Sequence, residues 1–274
     1  MKTKQISLSD YVYSGEGANG ASYFHKSDPT IMLKMFKENF PIDLAEDELY
    51  QSHLVYEAGI PSPKPGEMVV DENGCYGIIF HRIPDKVSFS RAIGNEPERV
   101  EEYARRFARM CLELHSTELD TTKFRSARQI DLDRLEKSPY FDPEEKEKFR
   151  NFLLSVPEAT TAVHGDLQYS NAVMSDEGDM FIDLGGFSYG HPYFDIGQVL
   201  LCSVYTSPEF ITDVYHMSVE TAGEFWKYFV KEYFGEDADV AEVTEMIRPY
   251  SALMAILIDD CCGMRMEIFH KLMY

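Results

Sequence analysis

The most informative segment of the chain is His164-Gly165-Asp166-Leu167-Gln168-Tyr169-Ser170-Asn171. It places a carboxylate, Asp166, and a carboxamide, Asn171, five residues apart on what the flanking sequence predicts to be a tight loop. A second carboxylate, Asp183, follows twelve residues after Asn171, at the end of an apolar run and before two glycines. The sequence therefore presents three oxygen-bearing side chains at a defined spacing.

This set of side chains fits the chemistry of phosphoryl transfer from ATP. The reaction needs a base for the acceptor hydroxyl and hard oxygen ligands for Mg²⁺, which keeps several waters and borrows phosphate oxygens. Asp166 is the predicted base, and Asn171 and Asp183 are the predicted magnesium ligands. Taken alone, Asp166 would be a turn residue capping its own loop, Asn171 a strand-edge turn, and Asp183 a helix cap or an ion-pair partner. Their common spacing favours the catalytic interpretation.

A glycine-rich segment near the start of the chain predicts phosphate contacts. It reads Ser14-Gly15-Glu16-Gly17-Ala18-Asn19-Gly20 and lies between two strand-like stretches. Glycine lets backbone amides approach phosphates closely and tolerates positive φ. Gly15, Gly17 and Gly20 are the predicted contacts, although a plain hairpin turn would look similar.

Lys34 is predicted to reach the phosphates of the nucleotide. It lies in the middle of an apolar strand-like run, 31–36, and strand alternation allows either a solvated side chain or one directed into a cleft. A carboxylate on the helix predicted over 43–58 would favour the cleft. Glu48 is the best candidate for this partner, and Glu46 is the second.

Composition and charge exclude several classes of function. The 274 residues carry 26 basic and 47 acidic side chains, so the formal charge is 26 − 47 = −21, which disfavours nucleic-acid binding. We expect no membrane span, because no apolar run approaches the roughly 20 residues required. The five scattered cysteines show no metal-ligand spacing, and the first residues show no signal segment. Free thiols and a cytoplasmic location are therefore predicted.

The order of predicted elements gives an α+β chain with two parts. Residues 1–83 read as strands and turns around one helix, and residues 84–274 read as mainly helical. The larger part is predicted to contain helices over 101–119, 144–154, 195–205 and 218–234, and a further one from 240 that breaks at Pro249 and Gly263.

These motifs resemble the aminoglycoside phosphotransferase and choline kinase group. The resemblance is carried by the segment 164–171 and by Ile182-Asp183-Leu184-Gly185 and Pro192-Tyr193-Phe194-Asp195, with support from Leu114-His115 and Gly59-Ile60-Pro61-Ser62-Pro63. It spans nearly the whole chain. It implies a bilobal protein-kinase-like fold with an N-terminal antiparallel sheet plus helix and a larger, mostly helical C-terminal lobe.

The resemblance also implies an activity and assigns residues to it. The expected enzyme is an ATP-dependent kinase that phosphorylates a hydroxyl of a small molecule, with ATP and Mg²⁺ required. Asp166 would be the base, Asn171 and Asp183 the metal ligands, Lys34 the phosphate ligand and Glu48 its partner. The connector Phe80-His81-Arg82-Ile83 would offer backbone groups to adenine, chiefly at Phe80, His81 and Ile83.

Two other functions remain open at this point. The first is a non-catalytic nucleotide-binding regulatory protein of the same fold, and the second is a protein kinase. Gly165 disfavours a protein substrate, because protein kinases carry Arg at this position. Two departures bear on activity: Glu16 places an acid in the glycine-rich segment, and Gly186 adds a second glycine after Asp183.

The acceptor is expected to be a small molecule. A hydroxyl-bearing small molecule, including amine-bearing compounds, is compatible with the acidic charge, and no obligate protein partner is evident. The resemblance places the acceptor pocket in 218–274, where Asp259, Asp260 and Glu267 are candidates for an amine, with a solvated helix face as the alternative. Asp195 is predicted either to cap its helix or to hold the Asp166 loop, and His115 to brace the structure. These last two residues are not predicted catalysts.

Overall fold

The chain forms two compact units. The computed structural model describes residues 3–17, 19–139 and 141–262, with side chains through residue 255. The first unit comprises Met1–Lys86 together with Met174–Gly185, and the second comprises Val87–Val173 and the described residues from Gly186 onward. The return segment contacts the first unit, for example through the Phe181 N–H, which donates to the Pro61 carbonyl at 2.9 Å. The division at residue 83 stays a prediction about the folding domains.

A six-stranded sheet and one helix form the body of the first unit. The strand order is β1-β5-β6-β4-β3-β2. All its pairs are antiparallel except β1 with β5, which is parallel, so the sheet is mixed rather than antiparallel as predicted. The sequence missed the first strand because its two residues are too few to show alternation. The elements are β1 (Lys4–Gln5), β2 (Tyr11–Gly17), β3 (Gly20–His25), β4 (Ile31–Phe36), α1 (Ile42–Glu57), β5 (Pro65–Val70) and β6 (Tyr76–His81).

Alternation along β4 determines which face Lys34 occupies. Leu33 and Met35 are buried in the cluster on one face of the sheet, with Tyr11 and Val69. Phe36 belongs to the cluster on the opposite face, which includes Ala45 of α1. Because successive side chains of a strand point to opposite faces, Lys34 shares the α1 face with Phe36. The strand therefore presents its lysine to the helix that carries Glu48.

The glycine-rich segment is mostly strand. It contains the end of β2 and the start of β3, with Gly17 paired to Gly20 and a register shift between Tyr13 and Gly15. The predicted loop over 14–20 is therefore largely a tight hairpin. Glu16, the acid in this segment, is exposed.

The remaining chain is mainly helical, as predicted, but contains more elements than the sequence showed. The sequence missed α2, α4 and α7, which are short or carry few apolar residues. Pro249 lies inside α9 and does not break it, and Gly263 lies outside the described residues. The elements are β7 (Val87–Ser88), α2 (Phe89–Asn95), α3 (Val100–His115), α4 (Ala127–Lys137), α5 (Pro143–Ser155), β8 (Ala162–Val163), β9 (Ala172–Met174), β10 (Met180–Phe181), β11 (Ser188–Tyr189), α6 (Tyr193–Leu200), α7 (Pro208–Tyr215), α8 (Val219–Phe234) and α9 (Val240–Cys262).

Aromatic packing anchors the 164–171 loop in the core of the second unit. Tyr169 is fully buried and lies edge-on to Tyr215 and to Phe225, with ring centroids 4.8 Å apart in each case. Its hydroxyl lies 2.8 Å from Ser203 Oγ. Leu167 is also fully buried. Leu167 and Tyr169 therefore hold the loop in the core, while Asp166 and Gln168 beside them are only partly buried.

The described helices contain no candidate membrane span, because none is both long enough and apolar enough.

Candidate active site

Lys34 bridges two carboxylates in the first unit. Its Nζ lies 2.6 Å from Glu48 Oε1 and 2.9 Å from Asp183 Oδ1. The structure therefore brings Glu48, rather than Glu46, to Lys34. Burial alone would lower the pKa of Lys34, but the charges of Asp183 and Glu48 outweigh burial and raise its pKa above the usual value. The lysine is thus a fixed cation held between two acids.

Asp183 has a backbone conformation that is uncommon for residues other than glycine. It lies two residues after the end of β10 and has φ +61°. Asp is among the residues that tolerate this left-handed region, at a cost of about 1–2 kcal/mol. Its side chain is 46% exposed even though it bonds to Lys34, so part of the carboxylate remains accessible. Strain of this kind is often found where function requires a fixed side-chain direction.

The three predicted phosphate-contacting glycines have different surroundings. A Cβ added at Gly15 would meet nothing within 4 Å, and one at Gly17 would reach only an ordinary contact at 3.8 Å. A Cβ at Gly20 would lie 2.0 Å from the Met35 carbonyl oxygen. Strand packing therefore explains Gly20. The fold does not require glycine at 15 and 17, and open space lies beside both.

The connector after β6 has one backbone donor with no partner among the described residues. The N–H of His81 donates to the Lys64 carbonyl at 2.9 Å, and the N–H of Arg82 donates to the Thr30 carbonyl at 2.7 Å. The N–H of Ile83 has no such bond, although the Ile83 side chain is buried. Phe80 is also buried, so two apolar side chains of the connector lie in the core.

In the second unit, three carboxamides surround the Asp166 carboxylate. Asn171 Nδ2 donates to Oδ2 at 2.8 Å and to the Asp166 backbone carbonyl at 2.9 Å. Gln168 Nε2 lies 3.3 and 3.4 Å from the two carboxylate oxygens, and Gln198 Nε2 donates to Oδ1. The carboxylate is therefore held by amide donors. The amide oxygen of Asn171 makes no bond within the described part of the chain.

A buried carboxylate on α6 holds the start of the same loop. Asp195 is 1% exposed and accepts the backbone N–H of His164 at 2.7 Å and that of Gly165 at 2.9 Å. His115 Nε2 lies 3.1 Å from Asp195 Oδ2, and its Nδ1 lies 2.8 Å from the Tyr233 hydroxyl. Of the two predicted roles for Asp195, the structure shows the loop-holding one. It also confirms His115 as a bracing residue.

A close backbone approach explains two of the glycines noted in the sequence. Gly165 has φ +81°, and an added Cβ would lie 2.2 Å from the Gly186 carbonyl oxygen. A Cβ on Gly186 would in turn lie 3.2–3.3 Å from backbone atoms of Gly165 and His164. The arginine of protein kinases has no room at position 165 in this structure. The additional Gly186 belongs to the same contact.

Two polar groups near this loop were not predicted. Gln198 is a polar residue in the otherwise largely apolar α6, and that contrast was its only signal in the sequence. Asp131 of α4 lines a small cavity with Arg134, Gly165 and Gly186. Burial raises the pKa of Asp131 to about 6, and the nearby Arg134 opposes this shift. The predicted acceptor residues Asp259, Asp260 and Glu267 lie outside the described side chains.

Comparison with known proteins identifies the chain at the level of its family. A family model described as the phosphotransferase enzyme family matches residues 15–228. The chain belongs to this family. Membership in the phosphotransferase enzyme family confirms the family resemblance seen in the motifs. It also confirms the predicted enzyme class, a small-molecule kinase. No curated protein sequence matches the chain significantly.

Solved structures share the fold at low sequence identity. One is a thermostable mutant of aminoglycoside phosphotransferase APH(4)-Ia in ternary complex with ADP and hygromycin B, with a TM-score of 0.66 and 12% identity over 96% of this chain and 90% of that chain. Amicoumacin kinase hAmiN, in complex with AMP-PNP and Ca²⁺, has a TM-score of 0.60 and 17% identity over 98% of this chain and 90% of that chain.

A choline/ethanolamine kinase family protein from Mesorhizobium loti has a TM-score of 0.55 and 15% identity over 96% of this chain and 83% of that chain. These likenesses confirm the α+β kinase-like fold. At such identities they bear on the fold alone. The roles of individual residues therefore depend on the geometry described above.

Proposed function

We propose that this member of the phosphotransferase enzyme family transfers the γ-phosphoryl group of ATP to a hydroxyl of a small molecule. The observation that carries the proposal is the Lys34 bridge, in which one ammonium lies within 2.9 Å of both Glu48 and Asp183. A fixed cation beside a half-exposed carboxylate fits a site that takes both a phosphate and a metal ion. Two of the solved structures with a similar fold contain a bound adenine nucleotide, ADP in APH(4)-Ia and AMP-PNP in amicoumacin kinase hAmiN.

The residues present fit Mg²⁺ and ATP on chemical grounds. Asn171 and Asp183 would hold Mg²⁺ through an amide oxygen and a carboxylate, which are hard ligands of the kind this ion prefers. The open space at Gly15 and Gly17 would admit phosphate oxygens close to the backbone. The N–H of Ile83 would be the donor to adenine, with Phe80 and His81 on the same connector. When bound, ATP would supply the phosphoryl group, and Mg²⁺ would offset the negative charge of the phosphates.

The reaction assigns a separate task to each of the remaining groups. Asp166 orients the acceptor hydroxyl and takes its proton while the oxygen forms its bond to phosphorus and the bond to the ADP oxygen breaks. Lys34 donates to a phosphate oxygen, and Glu48 keeps the lysine in place. Asn171 holds the Asp166 carboxylate with its amide nitrogen and retains its oxygen for the metal.

The acidic composition of the chain bears on the choice of acceptor. A formal charge of −21 is compatible with a cationic substrate, so amine-bearing acceptors belong in an acceptor panel together with amine-free polyols. A suitable panel contains choline, ethanolamine, hygromycin B, gentamicin, glycerol and glucose. ADP formation above the rate with water defines an acceptor. A protein that binds the nucleotide without catalysing transfer would give no acceptor-dependent ADP.

The metal assignment predicts a specific loss in Asp183→Asn. This change keeps a residue that tolerates positive φ but removes the charge that a divalent cation requires. We expect wild type to gain several degrees in melting temperature with ATP plus Mg²⁺, corresponding to about 2.7 kcal/mol at 100 times the dissociation constant. Asp183→Asn should lose most of the Mg²⁺-dependent part of this gain.

Asp176→Asn is the matched control, because Asp176 is an exposed aspartate of the same unit. It should keep the full stabilisation by ATP and Mg²⁺. If Asp183→Asn retained the same stabilisation as wild type, Asp183 would not be a metal ligand.

A further inference from the structure

Gln198 is a buried amide that bonds directly to the Asp166 carboxylate. It lies one helical turn after Asp195 on α6 and is 5% exposed. Its Nε2 donates to Asp166 Oδ1. Its neighbours on the helix, Ile196, Val199 and Leu200, are fully buried apolar residues. A glutamine among such residues needs an explanation, because burying an amide is unfavourable unless both of its polar ends are bonded.

One end of the Gln198 amide is not bonded. Its Oε1 is buried and has no hydrogen-bond partner among the described residues. Exchanging the amide oxygen and nitrogen would place Oε1 against the Asp166 carboxylate, where two acceptors repel each other. The bond to Asp166 therefore determines the orientation and leaves the oxygen without a partner.

The amides of Gln198 and Asn171 act on opposite oxygens of one carboxylate. Gln198 bonds to Oδ1, and Asn171 bonds to Oδ2 at 2.8 Å. Together they fix the rotation of the Asp166 carboxylate plane. Gln168 contacts both oxygens at longer distances, and its own oxygen accepts the Tyr215 hydroxyl at 2.8 Å. The shorter contacts come from Gln198 and Asn171, and of these only Asn171 has a proposed role at the metal.

We propose that Gln198 is a positioning residue, which holds the Asp166 carboxylate in the orientation that accepts the proton of the acceptor hydroxyl. The inference rests on the proposed role of Asp166 as the base. A buried acceptor without a partner reduces stability, and proteins retain such arrangements where activity requires them. Removing the amide should therefore reduce turnover without reducing stability.

The test compares Gln198→Met with Gln51→Met in the full chain. Gln51 on α1 is also buried, at 2% exposure, and its Oε1 is likewise buried without a partner among the described residues. Both changes keep the side-chain volume and remove an unpaired oxygen, so neither should lower the melting temperature. With the panel acceptor of highest turnover, kcat of Gln198→Met should fall about 10- to 100-fold. Its KM for ATP should stay within about twofold, and Gln51→Met should keep the wild-type kcat.

Gln198→Glu provides a second variant of nearly the same shape. It places a second carboxylate against Asp166, so we expect its kcat to be below that of Gln198→Met. A kcat of Gln198→Met within about twofold of wild type would overturn the inference. A fall in melting temperature as large as that caused by truncating a buried apolar side chain would also overturn it. If wild type itself shows no acceptor-dependent turnover, the proposed function fails and the inference fails with it. The wild-type assay therefore distinguishes the two failures.

Discussion

Gly15, Gly17 and Gly20 are the same residue type in three positions of one hairpin, but their surroundings give them different roles. Only at Gly20 would a side chain collide with the fold, at 2.0 Å from a backbone oxygen of β4. At Gly15 and Gly17 the free space is not used by the protein itself. From the sequence alone, all three glycines were predicted to contact phosphates, because the sequence does not show which atoms lie next to each Cα.

This difference predicts opposite effects for three alanine substitutions. Gly15→Ala and Gly17→Ala should leave the free energy of unfolding within about 0.5 kcal/mol of wild type and raise the KM for ATP about tenfold. Gly20→Ala should destabilise the protein by about 3 kcal/mol or more, because a backbone atom must move. Urea unfolding and ATP titration of the acceptor reaction measure both effects. An unchanged KM in both Gly15→Ala and Gly17→Ala would contradict the phosphate contact at this hairpin.

Among the elements, α6 shows how a short helix supports a loop far from it in sequence. Asp195 in its first turn accepts two backbone N–H groups of the 164–171 loop, and Gln198 one turn later bonds to the Asp166 side chain. The helix thus holds both the backbone and the carboxylate of the loop. Tyr169 and Leu167 anchor the same loop from the core side.

The loop contact of α6 predicts a large loss of stability in Asp195→Ala. The substitution leaves the N–H groups of His164 and Gly165 without an acceptor and His115 without its carboxylate. We expect a loss of about 2–5 kcal/mol, since unpaired buried donors cost about 1–3 kcal/mol each. Asp213→Ala, at an exposed acid on α7, is the control and should stay within about 0.5 kcal/mol of wild type. Equal stability of the two variants in urea unfolding would contradict the loop-holding role.

Some helices and strands could be predicted from the sequence, and others could not. Strand β4 and helices α1, α3, α5 and α8 appear within a few residues of their predicted bounds, because their apolar periodicity is clear. The helix α4 was missed because few of its residues are buried, and Pro249 was wrongly predicted to break the last helix. Packing provides the reason for the second error: Tyr250, next to Pro249, is buried against Phe194 and Phe152 in the core.

Part of the candidate site could also be predicted from the sequence. Spacing alone was enough to single out Asp166, Asn171 and Asp183, and the structure adds the contacts of each. Spacing could not identify Gln198, because its relation to Asp166 arises from the fold and spans 32 residues of sequence. Nor could it choose between the two roles of Asp195, since both use the same carboxylate.

At the scale of the whole molecule, the residues with proposed roles divide between the two compact units. Lys34, Glu48 and Asp183 belong to the first unit, and Asp166 and Asn171 belong to the second. The return of residues 174–185 to the first unit places the chain's second predicted metal ligand beside Lys34. The sheet-based unit therefore holds the groups proposed to bind the phosphates. The helical unit holds the proposed base.

The most direct test of this account is the rate of phosphoryl transfer by Asp166→Asn. The measurement follows the phosphorylated acceptor by ³¹P NMR, with the panel compound of highest turnover and saturating Mg-ATP. We expect kcat to fall by at least about 100-fold, because general-base catalysis contributes about 10²- to 10⁴-fold, while stabilisation by Mg-ATP remains. A phosphorylation rate within about threefold of wild type would contradict the account, and so would the absence of any phosphorylated acceptor with the wild-type protein.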